Sequence, residues 1–137
     1  MSDPMINVRQ SAARYADAAT LLSNTIIELD EVLNALPAKR EVSITVEGYR
    51  SIVFKRVKES RWGIVYETLS DILQTGQQNH IARQLRDCSL DIKMEAAPKL
   101  PLLLAKLIDT MNQDAKTAEV SSAVVKQLIR SLKKEGK

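Results

Sequence analysis

Histidine, cysteine, glycine and aromatic residues are all scarce in this sequence, and their scarcity excludes several classes of site. A single histidine and a single cysteine cannot build a His-rich metal centre, an intramolecular disulfide or a cysteine-rich zinc site. The 4 glycines are too scattered to form a phosphate-binding loop, and no catalytic motif is recognisable. We therefore predict a non-catalytic protein with no cofactor, metal or small-molecule ligand.

For His80, for Cys88 and for a row of carboxylates, a structural role is weighed against a chemical one. His80 is expected at the surface or at a helix start, although a lone histidine can act as a general base. Cys88 lies on an apolar stripe, which predicts a buried small side chain rather than a reactive thiol. Carboxylates recur every four residues at Asp87, Asp91 and Glu95, which favours a solvated helix face over a metal site.

The charge is nearly balanced, with 20 Lys and Arg against 17 Asp and Glu, so the net charge of +3 points only weakly to polyanions. The sequence shows no secretory leader pattern and no apolar run long enough to cross a bilayer, so we expect a cytoplasmic protein without membrane contact. With 45% hydrophobic but only 4% aromatic residues, residues 1–137 should form a single domain with an aliphatic core.

Two long helices are predicted by apolar and small residues that recur in unbroken steps of four and three. The first helix, over about 4–36, begins at Asp3 and Pro4 and is stopped by Pro37. Its seam comprises Val8, Ala12, Tyr15, Ala19, Leu22, Ile26, Leu29, Leu33 and Leu36. The second helix covers about 101–134, and Gly136 ends its pattern. Its seam comprises Leu104, Ile108, Met111, Ala115, Ala118, Ser122, Val125, Ile129 and Leu132.

Between these helices the apolar period changes from 3.6 to 2, which predicts a three-stranded antiparallel meander over about 42–68. Gly48 marks the first turn, and Ile52 and Phe54 should face the core. A connecting helix is predicted over about 79–97, and 70–78 is either a short helical turn or a loop. The fold class is α+β, with the two long helices antiparallel and both chain ends at the far tip.

Two surfaces are candidate binding sites. A second apolar row on the last helix, Val120, Val124 and Leu128, is either buried within the chain or a partner interface. A basic cluster on the strands can grip phosphates or simply keep a hairpin soluble. It comprises Arg50, Lys55, Arg56, Lys58 and Arg61, beside Trp62.

The seam pattern is the same whether the helices pair within one chain or between two chains. The paired seams and the extra row favour an interaction or assembly protein that forms a homodimer or binds a protein partner. The alternative is a nucleic-acid-binding module that uses the basic hairpin.

Overall fold

The fold is described by a computed structural model that covers residues 4–72 and 77–135, without the side chains of residues 69–72 and 77–80. The elements are α1 (Pro4–Asn34), β1 (Val42–Glu47), β2 (Arg50–Lys58), β3 (Arg61–Ile72), β4 (Gln77–Gln84), α2 (Leu90–Ala96) and α3 (Leu100–Glu135). Short 3₁₀ turns occupy Leu85–Asp87 and Ala97–Lys99. The α+β class is confirmed; the expected roles of Asp3, Gly76 and Gly136 lie outside the described residues.

The sheet is antiparallel, with strand order β1-β2-β3-β4. β1, β2 and the first part of β3 correspond to the meander predicted over about 42–68, and β3 continues to Ile72. Gly48 has φ 56° and, with Tyr49, forms the two-residue turn between β1 and β2. Because Gly48 is the first central residue and Tyr49 has negative φ, the turn is type II′, which suits the twist of a hairpin.

A fourth strand replaces the first part of the predicted connecting helix. Residues 77–84 pair with the edge of β3, and Ile81, expected on a helical stripe, is 53% exposed on β4. The short polar sequence QQNHIARQ has little apolar face of its own, so pairing with a long neighbouring strand decides its structure. Helix begins only at Leu90, where the Ser89 hydroxyl accepts from the Ile92 N–H. The segment 70–78, expected as a helical turn or a loop, therefore falls partly in β3 and β4. Residues 73–76 lie outside the described part.

The main hydrophobic cluster lies on one face of the sheet. The central strands contribute Ile52, Phe54 and Ile64, none of which is accessible to solvent. Both long helices cover this face: α1 inserts Ile26 and Leu33, and α3 inserts Leu100, Leu103 and Leu107. At about 25 cal/mol per Å² of apolar surface, this aliphatic layer is the main stabilising contribution to the fold.

The long helices run in the same direction across the sheet, which corrects the predicted antiparallel pair. On α1, Asn34 bonds to Trp62 and Asp30 bonds to Ile64, so α1 runs antiparallel to β3. On α3, Lys106 reaches the Ser43 carbonyl and Asp114 reaches Arg40, so α3 runs antiparallel to β1. Since β1 and β3 are both antiparallel to β2, the two helices are parallel.

Each long helix is longer than the sheet it covers. Residues 4–18 of α1 and residues 112–135 of α3 are all exposed. We call these segments the N-terminal arm and the C-terminal arm. Because the helices run in the same direction, the arms leave opposite ends of the sheet. The seams of α1 and α3 therefore do not pack against each other along their length.

Candidate assembly surface on the C-terminal helix

The C-terminal arm presents a broad aliphatic face. The row predicted from sequence is uncovered, with Val120 65%, Val124 54% and Leu128 58% exposed. A second row beside it is also uncovered: Val125 52%, Ile129 45% and Leu132 67%. Residues one or two helical turns apart share a face, so these six side chains form one continuous stripe.

The opposite side of the arm is polar. A helix advances by about 100° per residue, which places Glu119, Lys126 and Arg130 away from the aliphatic stripe. Lys133 and Lys134 lie in the last turn, where positive side chains interact favourably with the carbonyl end of the helix dipole. The arm is therefore amphipathic, and nothing in the described chain covers its aliphatic stripe.

The arm continues a face that is already used for packing. Leu104 and Met111 are half-buried against the core, and the same steps of four and three lead on to Ala115 and Ala118. The sheet ends before the helix does, so the face that contacts the core near Met111 is bare from residue 112 onward. The sequence pattern is uniform across this boundary, which explains why it did not reveal where burial stops.

A shallow apolar groove lies at the base of the arm. Its volume is about 300 Å³. Two of its lining residues, Arg40 and Asp114, form an ion pair with 2.9 Å between Nε and Oδ2. Its walls are Ala38, Lys39, Arg40, Met111, Asp114, Ala115 and Ala118. Sequence reasoning missed this groove, since it forms where the loop after α1 meets α3, far away along the chain.

The basic residues predicted as a polyanion site do not form one patch. Arg50 bonds to Glu95 at 2.9 Å, Lys55 bonds to Glu67 at 2.6 Å, and Arg61 bonds to Glu31. Arg56 lies over the ring of Trp62, 6.0 Å from its centroid. Successive strand residues face opposite sides of a sheet, so Lys55 lies on the other face from Arg56. Arg50 begins β2 and Lys58 ends it, at the far end of the strand.

A buried polar corner joins α1 to β3 and to the 3₁₀ turn after β4. Asp30 is 1% exposed, and burial raises the pKa of its carboxyl, opposed by a hydrogen bond from the Ile64 N–H. Its second oxygen has no hydrogen bond within the described residues; the Arg86 Nε lies 3.5 Å away. On the neighbouring exposed Glu31, a hydrogen bond from Arg61 lowers the carboxyl pKa. We interpret this corner as a structural feature that holds α1 against the sheet.

The remaining candidates are dispersed. Cys88 is buried, as predicted, and burial raises the pKa of its thiol, which suits an inert side chain. It lies just after a 3₁₀ turn rather than on the predicted helix. The acidic row is broken, because Asp87 lies in that turn while Asp91 and Glu95 lie on α2. His80 belongs to β4, and its side chain lies outside the described part.

Within residues 4–72 and 77–135, neither long helix has a stretch apolar enough to span a membrane. No protein-family model matches this sequence, and neither curated proteins nor solved structures give a significant match.

Proposed function

We propose that this protein is a non-catalytic assembly protein that forms a homodimer through its C-terminal arm. One observation supports the proposal above others: residues 112–135 form an amphipathic helix whose aliphatic stripe no other described residue covers. Exposed aliphatic surface of this extent marks a site of association in soluble proteins.

The physical argument concerns the arm as a helix. Helices in proteins owe most of their stability to packing of an apolar face, and isolated helices are marginal in water. The arm also contains Val120, Val124 and Val125, whose β-branched side chains lower helix propensity. Burying a Val or Leu side chain contributes about 1.5–3 kcal/mol, so a partner helix would offset this weakness.

The test introduces charge into the stripe. In a Val125→Glu, Ile129→Glu double variant, two carboxylates buried between the arms would oppose the dimer, so we expect size exclusion with light scattering to give a mass near 15.3 kDa. The unaltered chain should give about twice that mass. Far-UV circular dichroism should show that the sheet and the core helices persist.

A matched control places the same charges on the polar side of the same turns. Ala123→Glu with Gln127→Glu adds two glutamates four residues apart, away from the centre of the stripe. This control should remain dimeric. A monomeric unaltered chain, or a Val125→Glu, Ile129→Glu variant of unchanged dimeric mass, would contradict the assignment of the interface.

Nucleic-acid binding is the weaker alternative. Arg50, Lys55 and Arg61 already bond to carboxylates, which lowers the positive potential available for phosphates. A titration of a fluorescent single-stranded oligonucleotide at low salt tests it. Saturable binding that disappears at high salt and depends on Arg56 would favour this alternative over a protein that only assembles.

A further inference from the structure

Building on the proposed self-association, we propose that two C-terminal arms pair antiparallel, with Ala115 of one copy opposite Leu132 of the other. The centre of the pair lies between Ala123 and Val124. Four features of the described chain fix this orientation and register: the sizes of the seam residues, the length of the arm, the groove at its base and the distribution of charge.

The seam changes from small to large halfway along the arm. Its first half is Ala115, Ala118 and Ser122, and its second half is Val125, Ile129 and Leu132. Antiparallel pairing about the stated centre sets each large residue against a small one: Ala115 against Leu132, Ala118 against Ile129, and Ser122 against Val125. Helix interfaces pack densely when large and small side chains interdigitate in this way.

A parallel, in-register pair would match like with like. Ile129 would meet Ile129 at one end, and Ala118 would meet Ala118 at the other. The helix axes would then have to splay, leaving the alanine end loosely packed, because the interaxial distance follows the side chains at the contact. The size gradient therefore disfavours parallel pairing.

The length of the arm gives the same centre independently. Exposure begins at residue 112 and the described helix runs to Glu135, and the midpoint of that segment falls between Ala123 and Val124. An antiparallel pair at this register overlaps along the whole arm, roughly 35 Å at 1.5 Å per residue. At this register residue 135 of each copy lies level with residue 112 of the other, at the base of its arm.

In the proposed pair, the groove lies next to the largest seam residues of the second copy. Ala115 and Ala118 line it together with Ala38 and Met111. In the proposed register these two alanines face Leu132 and Ile129 of the second copy, whose aliphatic side chains suit an apolar recess of about 300 Å³. The groove thus extends the contact beyond the two helices to the loop at the base of the arm.

Charge also changes sign along α3. On the arm, Asp114 and Glu119 precede the centre with only Lys116 between them, whereas Lys126, Arg130, Lys133 and Lys134 follow it, with Glu135 as the one acidic residue of that half. Antiparallel arms bring Glu119 level with the segment between Lys126 and Arg130, and Asp114, which already pairs with Arg40, level with Lys133. Opposite potentials then face each other along the pair, while parallel arms would place the basic ends side by side.

Cysteine cross-linking tests the orientation on the full-length chain. Ala118→Cys and Ile129→Cys are prepared as single variants with different tags, then co-expressed or kept separate, and treated with a short bis-maleimide. We expect a cross-linked dimer from the co-expressed pair, with residue 118 joined to residue 129 in peptide mass spectra. Each variant alone should cross-link at least tenfold less. The unaltered chain, whose only thiol is the buried Cys88, is the background control.

The outcomes separate this inference from the proposed function. Strong cross-linking of each variant with itself would show parallel arms and overturn the inference while leaving the dimer intact. A dimer by light scattering with no cross-link in any sample would overturn the register as well as the orientation. A monomer by light scattering would overturn the proposed function itself.

Discussion

The Asp30 carboxylate accepts a hydrogen bond from the backbone N–H of Ile64, with 3.0 Å between Oδ1 and N. One helical turn later, the Asn34 amide oxygen accepts from the Trp62 N–H at 2.8 Å. Strand β4 pairs with β3 only as far as Val65, so these two N–H groups lie beyond its end. Two side chains of α1 therefore take the place of a neighbouring strand, and they fix where the helix crosses the sheet.

Removing the Asp30 acceptor should destabilise the fold. In an Asp30→Ala variant the buried Ile64 N–H loses its partner, which costs about 1–3 kcal/mol of unfolding free energy. An Asp30→Asn variant keeps an amide oxygen at the same place and should lose less. Urea unfolding at neutral pH measures both. Equal stability of Asp30→Ala and the unaltered chain would show that this hydrogen bond contributes nothing.

Asp30 should also make stability depend on pH. Burial raises its native pKa above the ordinary value of 3.8, so the native chain keeps a proton that the unfolded chain has lost. The contribution of Asp30 to the free energy of unfolding therefore falls as the pH rises from 3.8 through the raised native pKa. Subtracting the unfolding free energy of Asp30→Asn from that of the unaltered chain should give a difference that declines over this range. A difference that rises with pH would contradict the direction.

Glu31 should act in the opposite direction. A hydrogen bond from Arg61 lowers its native pKa below 4.5, so its contribution is present above that pH and is lost as the pH falls through the native pKa. A Glu31→Gln variant should remove this acid-side loss. Because Glu31 is exposed, we expect a smaller effect than that of Asp30. Urea titrations at a series of acidic pH values measure it.

Exchanging large and small residues across the proposed arm pair should first weaken and then restore the dimer. Ala118→Leu would crowd Ile129 of the second copy, which typically costs about 1–3 kcal/mol for each overpacked site. Adding Ile129→Ala to the same chain reverses the size order of that layer and should recover most of the affinity. Sedimentation equilibrium gives the dimer dissociation constants. A tighter dimer for Ala118→Leu alone would instead favour parallel arms.

Gly48 should be sensitive to substitution for its backbone alone. Its φ is positive and no described atom lies within 4 Å of an added Cβ, so Gly48→Ala should cost about 1–2 kcal/mol from conformation and not from crowding. Gly48→Asn should cost less, because asparagine tolerates this region better. Gly63→Ala is the control: its added Cβ would make only ordinary contacts, the nearest at 3.6 Å from Gln84 Oε1. Thermal unfolding compares the three variants.

The sequence alone determined the elements that carry a strong local period. Both long helices, the three strands from Val42 to Thr68 and the Gly48 turn follow from side-chain spacing and residue conformations that act within a few positions. The exposed row at Val120, Val124 and Leu128 was also found in this way, although not whether anything covers it.

Tertiary structure alone decided what lies beside each element. Strand β4 has a weak period of its own and is specified by the open edge of β3, which no local pattern records. The parallel course of α1 and α3 follows from Asp30 and Asn34 on one side and from Lys106 and Asp114 on the other. A helical seam states only that one face is apolar. Whether that face meets a sheet, another helix or water depends on residues distant in the chain, and here the sheet ends before the C-terminal arm does.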